Sequence, residues 1–81
     1  VMNVYIGKTF YEIVGSKPEI FDFTVDEYII KPDGSIEFPN KYIGLSAYNE
    51  FHFGSVVFED YTEAEKKLKE IRSVINERHN R

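Results

Sequence analysis

Phe58-Glu59-Asp60-Tyr61-Thr62-Glu63-Ala64-Glu65 is where this chain changes period. Upstream, apolar and aromatic residues alternate as they do in half-buried strands; downstream, Ala64, Leu68, Ile71 and Ile75 recur at the i, i+4, i+7, i+11 spacing of one helix face. The junction carries two overlapping helix-start signals. Asp60 with Glu63, and Thr62 with Glu65, each place a capping oxygen three residues before an acid that can bond back. A helix over 62–78 follows, with Glu63/Lys67 and Glu65/Lys69 as favourable i,i+4 pairs and Arg78, His79 and Arg81 suited to the negative end of its dipole. Asp60, Thr62, Glu63 and Glu65 thereby have structural roles, although together they could be mistaken for an acidic active site.

Working outward, Phe51-His52-Phe53-Gly54-Ser55-Val56-Val57-Phe58 reads as the last strand, its continuous apolar end suiting a central position. The segment from Tyr42 to Tyr48 fits either a strand or an ordered loop. Pro39-Asn40-Lys41 is a break, and Pro32-Asp33-Gly34-Ser35 is a turn whose return strand is Ser35–Phe38. Phe21, Phe23 and Val25 alternate with Asp22, Thr24 and Asp26, so the first three should face the core and the others water. Tyr28 and Ile30 fall out of phase by one residue, which a bulge near Asp26-Glu27 would produce. Gly15-Ser16-Lys17-Pro18 is a loop between this strand and Thr9–Val14. Val4-Tyr5-Ile6 reads as further strand, with Gly7-Lys8 a tight turn or a bulge.

The expected architecture is one α+β domain over residues 1–81. A strand-rich body, 2–58, forms a curved antiparallel sheet of four to five strands, with a barrel as its closed form, packed against the C-terminal helix. Leu68, Ile71 and Ile75 are expected to meet Phe23, Val25, Phe53 and Val57. At 81 residues the chain holds one core, burying roughly 60–65% of its unfolded surface. Seven Phe and six Tyr partly offset the small size, because each removes about 150–250 Å² from water when buried.

Composition bears on function chiefly by exclusion. With no cysteine there is neither a disulfide framework nor a thiolate metal site, and a reducing cytoplasm is the simplest setting. No signal-peptide pattern opens the chain, Met2-Asn3 reads as its natural start, and no apolar run approaches membrane-spanning length. The net charge of −4 is uneven: residues 1–60 hold ten acids against four lysines, and residues 61–81 hold four acids against six bases. An acidic body disfavours binding to phosphate backbones.

Candidate chemical motifs fail on inspection. Gly7-Lys8-Thr9 resembles the end of a phosphate-binding loop, but Met2 stands where that loop needs glycine, and strand rather than helix pattern follows. Phe53, Gly54, Val56 and Phe58 fit the RNA-recognition octamer, yet Phe51, His52 and Ser55 replace its basic residue, its first glycine and a stacking aromatic. The two histidines, His52 and His79, have no neighbours at metal-ligand spacing, and no serine lies in a nucleophile elbow. No catalytic, cofactor or metal residue is assigned, and the chain reads as a non-enzyme.

Val56-Val57-Phe58-Glu59-Asp60-Tyr61-Thr62-Glu63-Ala64-Glu65, following a body of short strands, resembles small uncharacterised proteins of Gram-positive bacteria and their phages. In those, a last strand ending in Phe runs into a Thr-x-Glu-Ala-Glu helix start; here Glu59-Asp60-Tyr61 intervenes before Thr62. The resemblance implies a host- or phage-encoded accessory protein and supplies no functional residues. The functional expectation is a small cytoplasmic interaction or regulatory module, acting on another protein or on itself as a homodimer, an inhibitor of a bacterial enzyme being one form. Its expected contact surface is Tyr42, Tyr48 and Phe51, since aromatic residues anchor interfaces. The alternatives are single-stranded nucleic-acid binding through sheet aromatics and the basic helix end, and mimicry of nucleic acid by the acidic body.

Overall fold

A computed structural model describes residues 3–79. It has two small antiparallel sheets and one C-terminal helix. The first sheet, in the order β2-β1-β6, contains β1 (Thr9–Val14), β2 (Glu19–Thr24) and β6 (Val57–Phe58). The second, in the order β3-β4-β5, contains β3 (Ile29–Ile30), β4 (Ile36–Glu37) and β5 (Ala47–Tyr48). Helix α1 runs from Tyr61 to His79. The single sheet expected from the sequence is therefore split in two and does not close into a barrel.

The alternation of β1 and β2 organises the layers. In their register Phe10 opposes Phe23, Glu12 opposes Phe21 and Ile13 opposes Ile20. Side chains directly opposite in an antiparallel pair share a face. One face carries Phe10 and Phe23 and joins Val25, Ile36, Phe38, Tyr48 and Val57 in the larger core cluster. The opposite face carries Ile13 and Phe58 and packs on Ala64 and Leu68, with Tyr11, Ile20 and Ile71 at its margin. The first sheet is thus the middle layer, with α1 on one side and the second sheet on the other.

This corrects the expected helix contacts. Leu68 and Ile71 meet Ile13, Phe58 and Ile20, whereas Phe23, Val25, Phe53 and Val57 lie with the other cluster. Within that cluster the aromatic rings are contiguous. Phe10 stacks on Phe23 at 5.6 Å between centroids, Phe38 meets Tyr48 edge-on at 5.5 Å, and Phe53 lies 5.7 Å from both Phe10 and Tyr48. The high aromatic content is thereby largely absorbed by the core.

Other departures have local causes. Val4 and Tyr5 are irregular rather than strand. The Gly7 amide donates to Val25 O while the Val25 amide donates to Lys8 O, so two residues oppose one. That is a β-bulge, and Gly7, at φ 93°, occupies the left-handed position it requires. The phase slip at Asp26-Glu27 is no bulge: the chain leaves the first sheet there and enters the second at Ile29. Phe51 and His52, expected to begin the last strand, lie instead in the 3₁₀ turn Glu50–His52. The Phe51 amide donates to Asn49 Oδ1 at 2.9 Å, and the Asn49 amide donates to His52 Nδ1 at 3.0 Å, a reciprocal cap that outcompetes strand pairing. Only Val57 and Phe58 of that segment form β6.

The expected helix and the Pro32–Ser35 turn are present. The Thr62 amide donates to Asp60 Oδ1 at 2.9 Å, which makes Asp60 the cap, and α1 starts one residue before the expected position. In the turn, Asp33 Oδ1 accepts from the Ser35 hydroxyl and amide, and these bonds hold the carboxyl below its usual pKa.

Candidate functional site

The polar centre of the molecule is Glu12, in the middle of β1. Its neighbours in the strand are apolar or aromatic, and its phase is that of Phe10, so its side chain is directed between the two sheets and is 1% exposed. An isolated buried carboxylate would carry a desolvation penalty of several kcal/mol. Here three donors converge on it. Lys41 Nζ lies 2.7 Å from Oε1, the Leu45 amide donates to Oε2 at 3.0 Å, and the Tyr48 hydroxyl donates to Oε1. Burial first, and then the Glu12 carboxylate, push the Tyr48 hydroxyl well above the ordinary tyrosine pKa.

Lys41 is equally committed. Besides Glu12, its ammonium donates to Leu45 O at 2.7 Å and to Ile43 O, so its three protons have three acceptors. It also lies 4.9 Å from the centroid of the Phe23 ring and 5.4 Å from that of Tyr48. Among the described residues no buried side-chain nitrogen or oxygen lacks a partner.

Glu12, Lys41 and Tyr48 together determine the path of residues 41–45. The ion pair, together with the Tyr48 hydroxyl 2.8 Å from Leu45 O, makes the hydrogen bonds that draw the backbone of Ile43 and Leu45 inward. Gly44 completes the fit: at φ +80°, a Cβ there would stand 2.6 Å from Glu12 Cδ. With the backbone turned in, the side chains turn out. Tyr42 is 98% exposed, Ile43 48% and Leu45 40%. A rigidly held loop therefore presents three large apolar groups to solvent.

The three residues expected to form a contact surface separate. Tyr42 lies on this loop and lines a cleft of about 200 Å³ with Phe21, Asp22 and Ile43. Phe51, 77% exposed, lies on the 3₁₀ turn and borders a larger cleft of about 630 Å³ with Ile30, Ile36 and Phe53. Tyr48 is corrected: at 1% exposed it is a core residue. Its ring completes the aromatic cluster and its hydroxyl serves Glu12. Glu12 and Lys41 were not singled out from the sequence, although each leaves a trace there. Glu12 is the one charge in the apolar run Thr9–Val14, and Lys41 is the only Lys or Arg between Lys31 and Lys66.

Among the described residues there is no group of three His, Cys, Asp or Glu side chains placed to hold a metal ion, and no helix is long and apolar enough to cross a membrane. Of the basic helix end, Arg78 is exposed, while the His79 side chain and Arg81 lie outside the described residues. Comparison with protein-family models, curated proteins and solved structures finds no match.

Proposed function

We propose that this chain is a non-catalytic protein-interaction module whose contact element is the loop Tyr42–Leu45, with Tyr42 as its anchor. One observation carries the reading: an internal ion pair holds the loop's backbone while its apolar side chains stand exposed. Ordering a loop on binding costs about 0.5–1.5 kcal/mol per immobilised side chain, in addition to the backbone cost, and a pre-ordered loop avoids much of it. Tyrosine suits the role because it offers a large contact area with few rotatable bonds. Asp22 shares the Tyr42 cleft, and Asp26 accepts from Asn40 just before the loop, so a partner with an apolar recess flanked by Lys or Arg fits best. The same acids disfavour a nucleic-acid backbone at this surface.

A photo-crosslinking phenylalanine placed at Tyr42, in cells that natively produce the protein, tests this. A discrete protein adduct is expected there and not with the same residue at Lys69, on the exposed side of α1. Absence of an adduct, or equal adducts at both positions, refutes the reading.

A further inference from the structure

We infer that β3 is a self-association edge, pairing antiparallel with β3 of a second copy of this chain about Ile29. The inference is independent of the 42–45 loop and rests on strand parity, exposed apolar area and charge order. β3 is one of the two edge strands of its sheet. The Lys31 amide donates to Ser35 O at 2.8 Å, and Ile29 opposes Glu37, so the backbone groups of Ile29 and Lys31 are directed at β4. By the alternation of an antiparallel ladder, those of Tyr28 and Ile30 are directed to the free edge. Both isoleucines are well exposed, Ile29 at 46% and Ile30 at 66%. An exposed apolar edge of this kind is a template for another strand.

The segment reads Glu27-Tyr28-Ile29-Ile30-Lys31, with opposite charges at its ends. If two copies align with Ile29 opposite Ile29, Tyr28 of each opposes Ile30 of the other. Those are the residues with free outward N–H and C=O groups, so both can be hydrogen bonded. The same register sets Glu27 against Lys31 of the second copy, twice by symmetry, at the non-hydrogen-bonded positions where side chains approach most closely. Moving the register by two residues in either direction removes the Glu27–Lys31 opposition. In one direction it also sets Pro32, which has no amide proton, at a hydrogen-bonding position.

Within each copy Lys31 already lies 3.1 Å from Glu37, leaving half-exposed area on its side chain for a second carboxylate. The two sheets would join into one of six strands, with Ile29 against Ile29 on one face and Ile30 against Tyr28 on the other. Because the contact is two-fold, it closes on itself and consumes the edge.

Sedimentation velocity from about 10 µM to 1 mM at low salt, with hydrogen exchange at the Ile30 amide, tests the inference. Wild type is expected to dimerise across this range, with Ile30 protection rising with concentration. E27K sets Lys against Lys31, and K31E/E37K keeps the intrachain pair while setting Glu against Glu27. Each is expected to weaken the dimer at least tenfold. The triple variant E27K/K31E/E37K reverses every sign together and is expected to return the dimerisation constant to within about threefold of wild type. Glu27 and Lys31 are exposed, and unchanged circular dichroism establishes that each variant is folded. A monomeric wild type at 1 mM, dimers indifferent to E27K, or a triple variant that fails to recover overturns the inference.

Discussion

Lys41→Met removes the cation from Glu12 while keeping a long apolar side chain in the space it filled. Glu12 would then retain only the Leu45 amide and the Tyr48 hydroxyl as partners, at a site 1% exposed. Breaking a buried pair from one side costs about 3–5 kcal/mol, mostly because the remaining charge is left without compensation. At about 0.05–0.15 kcal/mol per residue, a chain of 81 residues has a total stability of roughly 4–12 kcal/mol, so this one change removes a large share of it. The chain has no tryptophan, so urea unfolding is best followed by far-ultraviolet circular dichroism, dominated by the 19-residue helix. With an m-value of about 1–1.5 kcal/mol/M, the midpoint should fall by roughly 2–5 M, or the variant should be unfolded without urea. The companion E12Q/K41M separates charge from packing. The Gln carbonyl oxygen can still accept from the Leu45 amide and its NH2 can donate to the Tyr48 hydroxyl, whose own proton then goes to Leu45 O, 2.8 Å away, so at least half of the lost stability should return. A cost below about 1 kcal/mol for K41M, or a double variant no more stable than K41M, would refute the reasoning and mean that Glu12 is hydrated rather than held by Lys41.

Gly44→Ala should lose about 1–2 kcal/mol from its left-handed backbone alone, and more because the methyl group displaces Glu12; urea midpoints measure the sum. Tyr48→Phe should flatten the alkaline limb of the stability curve. The folded chain holds the Tyr48 proton more tightly than the unfolded chain, so that stabilisation is complete below pH 10 and declines by about 1.4 kcal/mol per unit as pH rises beyond it. If wild type and Y48F show the same slope between pH 10 and 11, the hydroxyl is not held as described. E12L/K41M should fold with a stability closer to wild type than to K41M, yet show lower amide order parameters over residues 42–45, readable by nitrogen-15 relaxation.

The helix and the first hairpin were legible because their signals are local. A 3.6-residue period, the acid three residues after Asp60 and the strict alternation of Phe21, Phe23 and Val25 each lie within one element. The split of the sheet was not legible, because β3 to β6 are two residues long and no periodicity distinguishes such strands from loop. Phe51–Phe58 misled by composition: its aromatics suit a strand, but Asn49, just upstream of it, and His52 cap a 3₁₀ turn that turns Phe51 out. The Glu12–Lys41 pair joins positions far apart in sequence, and nothing near either residue announces the other. Of the expected contact residues, Tyr42 and Phe51 are exposed, and Tyr48 is not, because an aromatic with a hydroxyl suits an interface and a core that contains a carboxylate equally well.

The choice of ions for this core follows from what the loop demands. Two apolar residues at 12 and 41 would cost no charge desolvation and would commonly stabilise a small domain at least as well. They would, however, leave Ile43 O and the Leu45 amide facing an interior with no partner and Leu45 O with the Tyr48 hydroxyl alone, and each unpaired group costs about 1–3 kcal/mol when buried. The loop would then swing out to water to satisfy them. Lys41 supplies the donors those two carbonyls need, and Glu12 supplies the acceptor the amide needs. Each ion also neutralises the other, and Gly44 leaves the space for both. Read this way, the buried pair contributes little net stability to the fold and a great deal to the conformation of Tyr42–Leu45, which is the division expected if the loop, rather than the core, is what the molecule presents to a partner.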